Sequence, residues 1–269
     1  MEAEARADRP LILAGRHPVL EALRSGTRRI DEILVEGDDR GRHLDILALA
    51  RQAGVRYTRA PRAALTALAG EGHQGVVARV APRGYADLEE LLAVPRARRE
   101  PALFVALDQV QDPGNVGNLL RTAEALGVHG VVVPRHQAAG LTPHAVRAAA
   151  GALEHLPVAR VTNLARGLDR MKQEGCWIVG AVAGAPARPP WTLDLTGPLA
   201  LVLGSEGRGL RPLVTRTCDV LARIPLAGRV GSLNVVAAGA ALLYEIRRQR
   251  SAPGRPAGEK AVDTSQRDT

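Results

Sequence analysis

The chain has 269 residues, 46% of them hydrophobic, enough for one large or two ordinary domains with a real core. Its net charge of +8 points to a polyanionic partner. Two cysteines, Cys176 and Cys218, exclude a disulfide framework and a Cys-rich zinc site.

No apolar run approaches the ~20 residues of a membrane span. Residues 1–10 are charged and lack the apolar centre of a signal peptide, so the expected compartment is the cytoplasm. Aromatic residues make up only 2% and are scattered, which argues against a base-stacking platform. RNA or DNA, if bound, is expected to be held through backbone and shape.

Residues 1–10 read as a flexible polar arm. From 11 to 82 follows a small α/β domain. Val19, Leu20 and Leu23 share a helical stripe, and Gly26 sits where a helix would end. Ile33–Val35 is a short strand, Leu44–Ala53 a helix closed by Gly54, and Val55–Thr58 a second strand. Ala63–Leu68 is a third helix and Val76–Val80 a third strand. Residues 83–101, with Pro95 and the Arg-rich 96–99 stretch, read as a linker that holds one short helix at Asp87–Leu92.

Between 102 and 250 strands alternate with helices, the pattern of a parallel sheet. The expected strands are Leu103–Leu107, Gly130–Val133, Val158–Val161, Trp177–Val182, Leu199–Leu203 and Val220–Ile224. The expected helices are Gly117–Leu126, His144–Leu153, Leu164–Glu174, Arg211–Arg216 and Leu233–Arg247. In the last of these, Leu233, Val236, Ala237, Ala240, Leu243 and Tyr244 form the expected buried stripe. Residues 101–250 also hold most of the charge excess, 16 basic against 10 acidic side chains. The tail from 251 to 269 is polar and rich in Pro and Gly, and is expected to be disordered.

Ligands of open α/β sheets bind beyond the carboxyl ends of the strands. Three such ends carry loops dense in glycine and polar groups: Asp108–Ala123, Gly204–Leu210 and Pro225–Val235. Each has an ordinary reading when taken alone. Ser232 would be a helix N-cap, Asp112-Pro113-Gly114-Asn115 a β-turn, Arg121 an exposed charge one turn into a helix, and Glu206 a cap partner. Those readings leave unexplained why three such loops stand at equivalent places. The Gly204–Gly209 spacing is not that of a Rossmann dinucleotide loop, and the chain has no P-loop, no H-E-x-x-H zinc motif and no G-x-S-x-G elbow. No metal is expected.

At these loops the chain resembles the SpoU (TrmH-type) RNA ribose 2′-O-methyltransferases of the SPOUT superfamily. Leu107–Ala123, Leu203–Leu210 and Ile224–Val235 are similar to the family's three motifs, in order and spacing. Gly15–Leu23 and His73–Ala78 are similar to the ribosomal-protein-L30e-like substrate domain of the subgroup that methylates a guanosine in the peptidyl-transferase region of 23S ribosomal RNA. One departure is Val236, where the third motif often has serine.

The resemblance implies a trefoil-knotted, parallel-sheet α/β fold with a small N-terminal domain, assembled as a homodimer. It implies S-adenosylmethionine as cofactor, held by Leu203, Gly204, Ser205, Glu206, Gly207, Ile224, Leu226, Ser232 and Leu233. It marks Arg121, Asn115, Glu206, Ser232 and Asn234 as the catalytic set, and Arg16, His17, His73, Gln74 and Arg208 as RNA contacts. Large-subunit ribosomal RNA is the expected substrate. The same chemistry on a transfer RNA or another ribosomal loop, and a non-catalytic ribosome-assembly role, are the alternatives.

Overall fold

A computed structural model describes residues 11–37, 41–82, 84–184 and 186–251. The expected arm at 1–10 and all but the first residue of the expected tail lie outside the described residues. The chain divides into two compact units. Among the described residues, the first holds those from 11 to 85 together with 112–124 and 139–157; the second holds 86–111, 125–138 and 158–251.

The sheet of the first unit has the order β1-β4-β2-β3, with β1 (Leu11–Ala14), β2 (Ile30–Glu36), β3 (Tyr57–Ala60) and β4 (Val76–Val80). β4 runs antiparallel to both β1 and β2, and β3 runs parallel to β2. Strand β1 is absent from the sequence-based reading, because four consecutive apolar residues show no alternation. On one sheet face Leu34 and Val77 pack with Leu65 and Ala69 of helix α3 (Arg62–Ala69). Residues i±1 along a strand point the opposite way, and Ile33, Val35 and Val76 are buried too. Both faces are therefore covered. Helix α1 (Arg16–Ser25) packs on β4 and on α2 (Leu44–Gln52), and Gly26 closes α1 in the left-handed conformation as expected.

Two later helices complete this unit. In α5 (Pro113–Ala125), Gly117 allows a close helix crossing: a β-carbon there would lie 2.4 Å from the Ala145 carbonyl oxygen on α6 (Pro143–Ala148). The single helix expected at His144–Leu153 breaks after Ala148, since Ala150 and Gly151 both take positive φ, and resumes as a 3₁₀ turn at Ala152–Glu154. That turn delivers Glu154 to a buried ion pair. Arg28 Nε donates to Glu154 Oε2 at 3.0 Å, and Nη2 lies 2.6 Å from Oε1. The two side chains are only 4% and 1% exposed.

The second unit carries a six-stranded parallel sheet of order β10-β8-β9-β5-β6-β7. Its strands are β5 (Leu103–Asp108), β6 (Gly130–Pro134), β7 (Val158–Val161), β8 (Trp177–Ala181), β9 (Leu199–Gly204) and β10 (Val220–Ala222). Strands β5 and β6 are buried along their whole length and β9 as far as Leu203, as continuous apolar runs require. One face packs on α4 (Leu88–Arg98), α7 (Leu164–Gln173) and α8 (Pro212–Thr217) through Leu91, Phe104, Val132, Leu168, Ile178, Val202 and Val214.

Helix α4 is longer than expected. It continues past Leu92 through Pro95, and Leu91 and Leu92 belong to the core. The final helix, α9 (Val235–Ser251), packs against β9. Its buried side matches the expected stripe only at Leu243: Val235, Gly239, Leu242 and Ile246 are buried with it, while Tyr244 is 65% and Leu233 42% exposed and Ala237 is exposed as well. Val236, placed on that stripe by the sequence reading, is only partly buried.

Removing one member of a buried ion pair strands the other charge. Glu154→Leu is expected to cost about 3–5 kcal/mol in urea unfolding, and Arg28→Met/Glu154→Leu together to recover most of it. Additive losses in the double variant would show that the two groups do not act as a pair.

Candidate active site

The carboxyl ends of β8, β9 and β10 open into a cavity of about 690 Å³. Its walls come from three consecutive returns of the chain: Ala181–Ala183 after β8, Leu203–Gly209 after β9, and Ala222–Val235 leading into α9. Leu203, Gly204, Ser205, Glu206, Gly207, Ile224, Leu226, Ser232 and Leu233 all line it, as does Asn234. The sequence reading missed Ala181–Ala183, Ala222, Ala238 and Leu242. The first three follow a strand end and were findable by the same argument; Ala238 and Leu242 depend on which side α9 turns inward.

The loop after β9 is compact for a local reason. Ser205 and Gly209 exchange backbone hydrogen bonds, Ser205 N–H to Gly209 C=O at 3.2 Å and Gly209 N–H to Ser205 C=O at 2.9 Å. The doubled-back chain passes so near Gly204 that a β-carbon there would lie 2.3 Å from the Gly209 carbonyl carbon. Only glycine fits.

The far end of the loop is pinned by Asp108, the last residue of β5. This carboxylate is fully buried and accepts from Arg211 twice, from its backbone N–H at 2.8 Å and from Nε at 2.7 Å. Nothing local in the sequence marks Asp108 as different from any strand-end aspartate.

The third loop ends at Asn234. Its Oδ1 accepts from Val236 N–H at 2.9 Å and its carbonyl from Ala238 N–H at 2.9 Å, so Asn234 is the N-cap of α9. The ordinary reading of Ser232 as the cap is thereby corrected. The helix begins two residues later than that reading requires, and Ser232 is left exposed in the cavity wall. Asn234 Nδ2 also donates to Glu206 Oε1, which joins the second and third loops. The carboxylate, amide and hydroxyl of Glu206, Asn234 and Ser232 thus share one cavity.

Asn115 and Arg121 belong to the first unit, on α5. The segment Asp112–Asn115 is the start of this helix rather than a β-turn: Asp112 Oδ1 accepts from Asn115 N–H at 2.6 Å and its carbonyl from Val116 N–H at 3.1 Å. Arg121 therefore lies well inside α5, not one turn from its start, and is exposed.

In the same unit, antiparallel pairing of β1 with β4 brings the Gly15–Leu23 and His73–Ala78 segments together. Arg16 N–H donates to Gln74 Oε1 at 3.0 Å, and the Arg16 guanidinium pairs with Asp45. His17 and Gln74 are exposed. His73, expected on the RNA-facing surface, is instead fully buried: its Nδ1 accepts from Gly75 N–H at 3.0 Å, and its Nε2 lies 3.0 Å from Thr66 Oγ1. Its work is to hold the turn before β4. Arg208, in the second unit, is exposed on the loop after β9.

Among the described residues no group of three or more His, Cys, Asp or Glu side chains could hold a metal ion, and no helix is long and apolar enough to cross a membrane.

Residues 102–244 match the SpoU rRNA methylase family, and residues 12–86 match the RNA 2′-O ribose methyltransferase substrate-binding domain. The chain is 42% identical to the TrmH family protein YacO of Bacillus subtilis, over 89% of this chain and 96% of that one. It is 43% identical to the 23S rRNA (guanosine-2′-O-)-methyltransferase RlmB of Coxiella burnetii, over 89% and 96%. The SpoU methyltransferase AviRb of Streptomyces viridochromogenes, solved in complex with the cofactor AdoMet, superposes with a TM-score of 0.74 over 93% of each chain at 29% identity. The SPOUT-type knotted α/β fold with its N-terminal domain is therefore the one this sequence adopts. With both domains matched in order and relatives aligned over nearly their whole length, the chain belongs to the SpoU rRNA methylase family and is an RNA 2′-O-ribose methyltransferase.

Proposed function

We propose that the enzyme methylates the 2′-hydroxyl of a guanosine in the peptidyl-transferase region of 23S ribosomal RNA, in the cytoplasm, as a homodimer. Residues 11–82 act as the RNA-binding domain and 102–250 as the methyltransferase domain. The observation that carries this reading is the cavity at the ends of β8–β10, with Glu206, Ser232 and Asn234 in its wall. Its likeness in sequence to the Coxiella enzyme, along with the matched substrate-binding domain, favours ribosomal RNA. Exposed apolar groups at Leu226, Val230, Leu233 and Tyr244 favour a second subunit.

The cavity suits S-adenosylmethionine, the family's cofactor. Its volume is that of a small-molecule site, its walls at Leu203, Ile224, Leu226 and Leu242 suit a flat base, and the backbone around Gly204 comes too close for any side chain. When bound, S-adenosylmethionine supplies a methyl group on a sulfonium, already activated for transfer. The protein must align the ribose oxygen, let its proton leave and exclude water.

An arginine side chain holds its proton through the neutral range. Arg121 therefore serves as a hydrogen-bond donor and not as the base: it binds the ribose and the neighbouring phosphate and stabilises the oxygen, while the O–H proton passes to solvent at the open side of the site. Asn115 orients Arg121 or the ribose. Glu206, fixed by Asn234, holds the substrate side, and Ser232 shapes the pocket. Arg16, His17, Gln74 and Arg208 contact the RNA.

Arg121→Ala is expected to lower methyl transfer at least about 10³-fold while S-adenosylmethionine affinity by calorimetry stays within about twofold; affinity lost in parallel would make Arg121 a structural residue. Asp108→Asn removes the charge that pins the loop after β9. It should weaken S-adenosylmethionine binding about tenfold or more with the far-ultraviolet circular dichroism unchanged. Ribose-methylation mapping of total RNA with and without the gene tests the substrate. One lost 2′-O-methylguanosine in large-subunit ribosomal RNA is expected, and a loss confined to transfer RNA would replace the substrate assignment.

A further inference from the structure

Two glutamines occupy the left-handed backbone region at the carboxyl ends of neighbouring strands. Gln109 (φ 61°) directly follows Asp108 at the end of β5, and Gln137 (φ 57°) comes shortly after Pro134 at the end of β6. β5 and β6 are adjacent parallel strands. A residue with a β-carbon is strained in this region and persists there when its surroundings fix it, most often at functional sites. A turn by itself would be served better by glycine or asparagine.

Here the two side chains meet, Gln109 Nε2 donating to Gln137 Oε1. An amide offers two donor hydrogens and an acceptor oxygen. This bond therefore leaves the Gln109 carbonyl oxygen and the Gln137 amino group for a further partner. Gln137 is exposed and Gln109 partly so.

Their position matters as much as their strain. Asp108 pairs in register with Gly204, so Gln109 emerges from the sheet beside the loop that lines the cofactor cavity. Arg135 and His136 are exposed on the same strand end as Gln137, and Arg135 is braced from β7 by its N–H to the Val161 carbonyl at 2.8 Å. A paired amide next to an exposed guanidinium matches a nucleotide, the amides meeting a base edge and the cation a phosphate.

We propose that the Gln109–Gln137 pair reads the base of the nucleotide whose ribose is methylated, and that Arg135 takes a flanking phosphate. The Gln109 carbonyl accepts from guanine N1–H or the exocyclic amine, and the Gln137 amino group donates to guanine O6. This inference rests on the guanosine assignment above and adds the residues that enforce it.

The test compares kcat/KM on unmodified transcripts of the peptidyl-transferase region that carry either the native guanosine or adenosine at the methylated position. Wild type should favour guanosine by about tenfold or more, the discrimination expected of a bidentate base contact. Gln109→Gly and Gln137→Gly should reduce that preference below about threefold, with S-adenosylmethionine affinity unchanged. Glycine relieves the positive-φ strain, so the thermal midpoint should hold or rise. Variants that keep both kcat/KM and the preference would reduce the pair to a turn device and overturn the inference. A wild-type enzyme that does not methylate the guanosine transcript would overturn the substrate assignment itself, and the base-reading role with it.

Discussion

The buried carboxylate of Asp108 is the constraint on which the ligand end of the second unit depends. It has no solvent to stabilise its charge, so its two hydrogen bonds from Arg211 must be kept. Keeping them fixes where the chain leaves the loop after β9, while pairing of Asp108 with Gly204 fixes where it enters. Between those two points the chain has little choice but the tight Ser205–Gly209 return that walls the cavity. Glu206 sits at the tip of this return and receives the Asn234 amide, so the second loop in turn holds the third.

Helix α9 is held at its other end with equal care. Arg250 donates to the carbonyls of Pro101 and Ala102 at 2.9 Å and of Gly197 at 2.7 Å. Burial, helped by the nearby charge of Arg247, pushes its guanidinium down to about 10, which still leaves it charged at neutral pH. Gln249 adds a bond from Leu195 N–H to its Oε1 at 3.0 Å. The last helix is thus tied to the segments that begin β5 and precede β9, and its first residue opens the cavity. A parallel sheet puts all its strand ends along one edge. That geometry sets the ends of β5 and β6 on the same edge of the sheet as the cavity at β8–β10.

Much of this was legible in the sequence, and the misses have physical causes. The nine cavity-lining positions expected from sequence fall in two short segments at strand ends, Leu203–Gly207 and Ile224–Leu233, and contiguous loops stay contiguous in space. The stripe on α9 was misjudged because residues 235–243 are almost uniformly apolar. Periodicity cannot choose a face when every face is apolar, and packing on β9 chose the one that buries Leu242 and Ile246 rather than Tyr244. Helix α4 was cut short by Pro95, yet Leu91 and Leu92 need the sheet and hold the helix across the proline. His73 looked like an exposed contact until the turn before β4 buried it.

By itself the sequence determined most of the strand and helix order, though not β1 or the break after α6, together with the change from a small α/β pattern to a parallel-sheet pattern and the glycine-rich polar loops that carry the likeness to the family. Those properties are written in local composition and in the period at which apolar residues recur. Tertiary structure alone decided that Asn234, not Ser232, caps α9. It also decided that Asp108 meets Arg211 across 103 residues of chain and that Gln109 meets Gln137 in a strained conformation. The reason is the same in each case: local pattern says which groups need a partner, and only the packed sheet says which partners its strand ends bring within reach.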